Sequence, residues 1–542
     1  MALDPSTSDR RRTAGAGPSA PPPEVVAAWR EAGLHADETL GERISARGLP
    51  GRITFADASG EQTVDRDELA TRAGRLAAGL GTLGVGPGDV VAVQLPSSAD
   101  SWALLGGAWL LGAVVCPVVD IYGPRELGFI LEQSGARVLA VAAETRGRSG
   151  IEIARTAGCD GTLVVHGDGG VTEEAGDVVA FGDLLDRGEV TAPAAVAADD
   201  VALLVYTSGS TADPKGVQHT HNTLLAGLRG TAAPTGGGPV SLASFPAGHI
   251  AGTLGALRAL VAGGDAVVMD RWSATRAAEL VERHRIAFGI GTPFFLGGLL
   301  DAAERDGRDL SSLAAFLTGA APVPPALLER AEARGILGWR TYGATEHPGI
   351  SSGGPLDDVH TRHATDGRVS PLVELRLLDD ELCDVTPGEE GEIAVRGPKQ
   401  FVGYLDPSLD VDAFLPGGWF LTGDVGRLDD EGRLTITDRR KDIIIRGGEN
   451  IASKEVEDVL ASLDGVVECA VCAEPDEALG ERVAAFVRCT PDRPLTLEDV
   501  RAHFAAAGVP PQKTPESLHV VDDLPRTAAG KVLKSELRAW LR

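Results

Sequence analysis

The residue types of YTSGSTADPKGV, residues 206–217, could do the most specific chemistry in this sequence. Hydroxyls at Thr207, Ser208, Ser210 and Thr211 surround Gly209, which is free to take positive φ. Such a loop can offer backbone N–H and side-chain O–H donors together. Lys215 adds a compact point charge. Donors gathered around a cation are what a polyphosphate needs. A polar surface loop draws on the same residues, so the segment does not decide the matter by itself. The Walker pattern is excluded, because Lys215 is followed by Gly216 and not by Ser or Thr. RTAAGKV near the C-terminus fails that pattern too.

The lysines are few: Lys215, Lys399, Lys441, Lys454, Lys513, Lys531 and Lys534, the remaining basic residues being arginines. An ammonium and a planar guanidinium do different work, so each lysine needs a reason. Cys469 and Cys472 have the C-x-x-C spacing of redox and metal sites. Their surroundings, VVECAVCA, read as a strand, on which positions three apart face opposite ways. No second pair or histidine spacing completes a zinc site, and all six cysteines are scattered, which excludes a disulfide framework.

The elements that must position these residues alternate between about residues 60 and 345. DVVAVQL, VVCPVV, ARVLAVAA, VALLVY, AFGIGT and AAFLTG read as strands, and PRELGFILEQSG, FFLGGLLDAAER and PPALLERAEAR as helices. This alternation predicts α/β architecture with largely parallel sheets. Past about residue 370 shorter strands follow (VELRLLD, GEIAVRG, RLTITDR), which predicts a β-rich subdomain. After 438–442 a unit of about 100 residues reads helix, strand, strand, helix, strand, loop, helix, the pattern of a small α+β domain. The uncharged stretch 101–119 changes from SWALLGGAWLLGA to VVCPVV, which predicts a buried helix and then a buried strand, with no membrane span.

At 542 residues the chain exceeds one ordinary core. Its formal charge of −28 excludes a nucleic-acid partner, since phosphate backbones need a basic footprint. Arg10, Arg11 and Arg12 precede TAGAGPSAPPPE and no apolar run, so residues 1–23 are expected to be a disordered leader and the protein cytoplasmic. The domains are then 24–438, the large N-terminal unit, and 439–542, the small C-terminal one.

The 206–217 loop resembles the phosphate loop of the adenylate-forming superfamily of acyl-CoA synthetases, peptide-synthetase adenylation domains and luciferases, with Ala212 where glycine is usual. Further segments carry the resemblance in the family's order, over roughly residues 40–542. YGATEHP (342–348) is similar to the motif whose tyrosine stacks on adenine, whose threonine meets the α-phosphate and whose glutamate holds Mg²⁺. That implies Tyr342, Thr345 and Glu346, with Gly343 beside them. GAAP (319–322) resembles the adenine-side turn, implying Gly319, Ala320 and Ala321. WFLTGD (419–424) resembles the motif whose aspartate, here Asp424, accepts from the ribose hydroxyls. DRRKD (438–442) resembles the hinge, with Arg439 near the ribose and Lys441 the pivot of a mobile C-terminal domain. Arg446, Gly447 and Gly448 fall where CoA-using members line the pantetheine path. PRTAAGK (525–531) resembles the motif whose lysine, here Lys531, contacts carboxylate and α-phosphate.

The resemblance implies ATP-dependent activation of a carboxylic acid to an acyl-adenylate, followed by transfer to CoA. Lys531 and Mg²⁺ on Glu346 would supply the cations where two anions meet, while Lys215 and the hydroxyl loop hold the departing pyrophosphate. His249 in FPAGHIAG matches a position beside the acyl group, although a helix-start histidine satisfied by backbone fits the same residues. That segment has no aspartate to meet an amino group, which disfavours an amino acid. Small residues, among them Gly248, Gly252, Gly255, Gly319, Gly343 and Ala344, predict room for an apolar medium-length, bulky or cyclic acid, such as an acid of secondary metabolism. The wording TADPKGVQHTHNTL and GATEHPG is most similar to synthetases for medium-chain and alicyclic acids. An enzyme that passes acyl-AMP to a carrier protein or partner enzyme needs the same first site. A nucleotide-binding regulator with a dead site is opposed by the intact set Lys215, Glu346, Asp424, Arg439 and Lys531.

Overall fold

The computed structural model describes residues 19–167, 178–207, 214–229, 239–447, 449–476, 479–490, 493–527 and 530–541. The alternation between residues 60 and 345 builds two sheets, not one. The first has seven strands, with the central parallel run Val114–Pro117, Val90–Gln94, Val138–Ala142 and Thr162–His166. Val201–Thr207 and Lys215–Thr220 close one edge of this sheet as an antiparallel pair. The second has nine strands, whose parallel run includes Ala266–Met269, Ser241–Ala243, Phe288–Gly291, Ala315–Gly319 and Leu337–Tyr342. The uncharged stretch is the buried helix Ala99–Leu110 and the buried strand Val114–Pro117. Its glycines serve packing: a Cβ on Gly107 would lie 2.9 Å from the Ala73 carbonyl oxygen of helix Arg66–Thr82. No helix among the described residues is long and apolar enough to cross a membrane.

The β-rich subdomain is a five-stranded sheet built on Glu374–Leu378, Gly391–Arg396, Trp419–Leu428 and Leu434–Arg439. From helix Ser453–Ala461 to helix Lys534–Trp540 the small C-terminal unit follows the expected order, around strands Val466–Asp476, Gly480–Cys489 and Ser517–Val520. Two further strands, Ile444–Arg446 and Glu449–Ile451, precede the first of these helices and join the same sheet. Cys469 packs toward the core of Ile444 and Phe504, and Cys472 toward that of Phe486 and Leu537, so the C-x-x-C spacing straddles the strand. All six cysteines are unpaired.

Part of the expected leader is packed. Ser19 is buried and its hydroxyl donates to the Val402 carbonyl at 2.8 Å. Pro21 lies against Gly418, where a Cβ would come within 2.8 Å of it. The first helix, Pro23–Glu31, begins at a proline, which needs no N–H partner at that position.

Candidate active site

Asp424 is the centre around which the site is assembled. Strands Trp419–Leu428 and Leu434–Arg439 pair antiparallel with Asp424 opposite Arg439, and Arg439 Nε meets Asp424 Oδ1 at 2.8 Å. The Tyr342 hydroxyl, from the end of strand Leu337–Tyr342, donates to Asp424 Oδ2 at 2.7 Å. Burial and the neighbouring Asp424 raise the phenol pKa, so it remains a donor. Gly319 ends the adjacent parallel strand, opposite Thr341, and Ala320 beyond it holds φ at +62°. A left-handed alanine is mildly strained, by about 1 kcal/mol.

Thr345 and Glu346 sit on the turn that follows Tyr342. His219 Nε2 donates to the Thr345 carbonyl at 2.8 Å, and Phe401 N–H donates to the Glu346 carbonyl at 2.8 Å. Burial lowers the His219 pKa to about 4, which keeps it neutral. The Glu346 carboxylate accepts from the Tyr404 hydroxyl at 2.8 Å, and Lys215 Nζ lies 5.1 Å from the centre of the Tyr404 ring. Thr207 and Lys215 are cross-strand partners, so the strand ends that flank residues 208–213 are held beside Glu346 through Tyr404. Ser208, Gly209, Ser210, Thr211 and Ala212 lie outside the described residues. One carboxylate suits Mg²⁺, which keeps water and phosphate oxygens as its other ligands, and no three-residue metal cluster occurs among the described residues.

Lys531 comes to this site from the C-terminal unit on a tight hairpin. Thr527 N–H donates to the Lys531 carbonyl at 2.8 Å, Gly530 N–H to that of Thr527 at 2.9 Å, and Lys531 N–H to Thr527 Oγ1 at 3.2 Å. The hairpin docks on Phe294, whose ring takes the Arg526 guanidinium at 4.8 Å. Burial lowers the Lys531 pKa to about 7, with Arg439 and Lys441 adding to the effect and Asp424 opposing it. Gly530 has φ +80°, and a Cβ there would lie 2.7 Å from the Phe294 ring. Gly530→Ala is therefore expected to lift Lys531 off the site and lower adenylation about tenfold or more. Acid-dependent pyrophosphate exchange measures this, with little change in melting temperature.

His249 caps helix Ile250–Val261, its Nδ1 accepting from Ala251 N–H at 3.2 Å, and stacks on Phe245 with ring centres 4.9 Å apart. It is thus the backbone-satisfied histidine, yet it is also close to Lys531, whose charge joins burial in lowering its pKa to about 4. An accepting Nδ1 places the proton of the neutral ring on Nε2. Several of the small residues are required by close backbone packing. Cβ positions on Gly252, Gly319 and Gly343 would lie 2.0 Å from the Pro246 carbonyl oxygen, 2.4 Å from that of Thr341 and 2.5 Å from the Gly349 nitrogen. A Cβ on Gly248 would lie 2.5 Å from the Val119 nitrogen, whereas one on Gly255 would face open space.

Arg446 pairs with Glu516 of its own unit through contacts of 3.0 and 2.9 Å. Gly447 has φ +59°, and Gly448 lies outside the described residues. Lys441 stands in the 3₁₀ turn Arg440–Asp442, its pKa lowered to about 8 by burial and Arg439. The residues that sequence reasoning missed are Tyr404, His219, Lys399 and Phe294. Scarcity was the available signal for two of them: Tyr404 is one of four tyrosines and Lys399 one of seven lysines.

A family model described as AMP-binding enzyme matches residues 43–405, and one for the AMP-binding enzyme C-terminal domain matches 455–531. The chain is 33% identical over 534 residues to the medium-chain fatty-acid–CoA ligase of Escherichia coli (strain K12), covering 94% of this chain and 92% of that one. It is 36% identical over 506 residues to the 3-[(3aS,4S,7aS)-7a-methyl-1,5-dioxo-octahydro-1H-inden-4-yl]propanoyl:CoA ligase of Rhodococcus jostii (strain RHA1), covering 90% and 96%. Among solved structures, ATP-bound MatB from Rhodopseudomonas palustris superposes with a TM-score of 0.79 at 26% identity, covering 93% of this chain and 99% of that one.

Proposed function

The chain belongs to the AMP-binding enzyme family, and from that premise we propose that it joins an apolar carboxylic acid to coenzyme A through an acyl-adenylate, releasing pyrophosphate and AMP. The observation that carries this reading is the delivery of Lys531 to the Asp424, Arg439 and His249 cluster. A carboxylate attacking a triphosphate brings two anions together. The Lys531 ammonium would neutralise charge where they meet, and the His249 N–H would donate to the acid's oxygen. Asp424 and Arg439 would hold the ribose, the Tyr342 ring would cover the adenine, and Lys215 would receive pyrophosphate. Glu346 would hold Mg²⁺, which supplies charge neutralisation on the phosphate oxygens when bound.

The acid is apolar, of medium length or cyclic. Phe245 and His249 form an aromatic wall, the FPAGHIAG segment carries no carboxylate, and similar chains are named for medium-chain and hydrindane-type acids. Six unpaired cysteines support a cytosolic setting. Pyrophosphate exchange across a panel of carboxylic acids, followed by mass spectrometry with ATP and CoA, tests the reading. Acyl-CoA formation from a medium-chain or alicyclic acid is expected. Accumulation of acyl-AMP despite CoA would point to a carrier protein or partner enzyme as acceptor, and exchange with amino acids alone would overturn the substrate class.

A further inference from the structure

Residues 397–405 run between the two halves of the nucleotide site. On one side, Leu405 N–H donates to the Gly216 carbonyl and Val402 N–H to that of Gln218, both on strand Lys215–Thr220. On the other, Phe401 and Tyr404 hold the backbone and the carboxylate of Glu346. At the head of the segment stands Lys399, 1% exposed. Its ammonium donates to the Gly349 carbonyl at 2.5 Å and to Ser370 Oγ at 3.4 Å, and no carboxylate is within ion-pair distance among the described residues. Gly349 holds φ at +62° and ends the turn that carries Thr345 and Glu346, which Ile350 N–H closes on the Tyr342 carbonyl at 2.8 Å.

Burying an ammonium against neutral acceptors works against the fold, because lost hydration is not returned by an ion pair. Burial accordingly lowers the Lys399 pKa to about 8. A methionine of similar length would fill the space without that penalty. We propose that Lys399 is a positioning residue for MgATP: its buried ammonium pins Gly349, and so sets the height of the Thr345–Glu346 turn above the strand ends at Thr207 and Lys215. This rests on the reading that Thr345 and Glu346 meet MgATP.

The test uses the full-length enzyme with Lys399→Met and Lys399→Arg. For Lys399→Met, an unchanged or higher melting temperature is expected, together with an increase of about tenfold in KM for MgATP or a matching loss of kcat in pyrophosphate exchange. Thioester formation from supplied acyl-adenylate should stay near wild type, and Lys399→Arg should recover part of the loss. Exchange within about twofold of wild type, activity that merely follows a lowered melting temperature, or failure of both variants to fold makes Lys399 a stability residue and overturns the inference. MgATP affinity by calorimetry gives the same comparison without any acid. A wild type inert toward every acid would instead count against the proposed function.

Discussion

Lys531→Ala is expected to lower acid-dependent pyrophosphate exchange by roughly a hundred- to a thousandfold, the scale of losing one preorganised charge-stabilising donor. Thioester formation from supplied acyl-adenylate should change by less than about threefold, since the role proposed for the lysine is where carboxylate and α-phosphate meet and not where the thiol attacks. Equal losses in both steps would remove Lys531 from the first. The same residue gives a pH signature. Its lowered pKa, about 7, means the ammonium is present below that pH and lost as pH rises through it. Because kcat/KM reports the free enzyme, kcat/KM for MgATP should fall as pH rises past about 7 in wild type. Lys531→Ala should lose that decline. Binding of the anionic nucleotide at pH 8 should also draw in a proton, visible in calorimetry as heats that depend on the buffer, and this uptake should vanish in the variant.

The second large effect is expected from Lys441→Pro. Lys441 lies in the 3₁₀ turn Arg440–Asp442, whose φ values centre where proline is fixed. The substitution therefore suits the arrangement that delivers Lys531, at a modest cost from crowding Arg440. It opposes rotation about this residue. Adenylation should survive within about threefold, whereas overall acyl-CoA formation should fall by about a hundredfold or more. The contact of Asp438 with Ser453 would have to break in any such rotation: Asp438, before the turn, accepts from the Ser453 backbone N–H and, at 3.2 Å, from its hydroxyl. The Arg538–Asp442 pair lies wholly after residue 441 and moves as one. Stopped-flow measurement of each half-reaction checks this, and a parallel loss of both would show that residue 441 is no pivot.

The resemblance to a known family carried much of the candidate site, and the structure gave its parts addresses. Asp424, Arg439, Tyr342 and Lys531 are spread over nearly 190 residues of sequence yet share one cluster. By contrast, nothing local distinguishes Tyr404 from any buried aromatic. Its use comes from the Glu346 carboxylate on one side and Lys215 on the other. Scarcity marks Lys399 in the sequence but not its role, because a lysine's burial and partners are set by elements distant in the chain.

By itself the sequence determined the alternation of strands and helices, the change to a β-rich subdomain, the small final domain and the residue types of a phosphate-binding loop. All of these follow from local periodicity, turn chemistry and donor inventory. Only the tertiary structure decided how the strands divide between two sheets, that Ser19 and Pro21 are packed, and that Gly248 and Gly252 lie against backbone. The physical reason is the same in each case. Periodicity fixes which face of an element is apolar, but not which distant segment comes to lie against it.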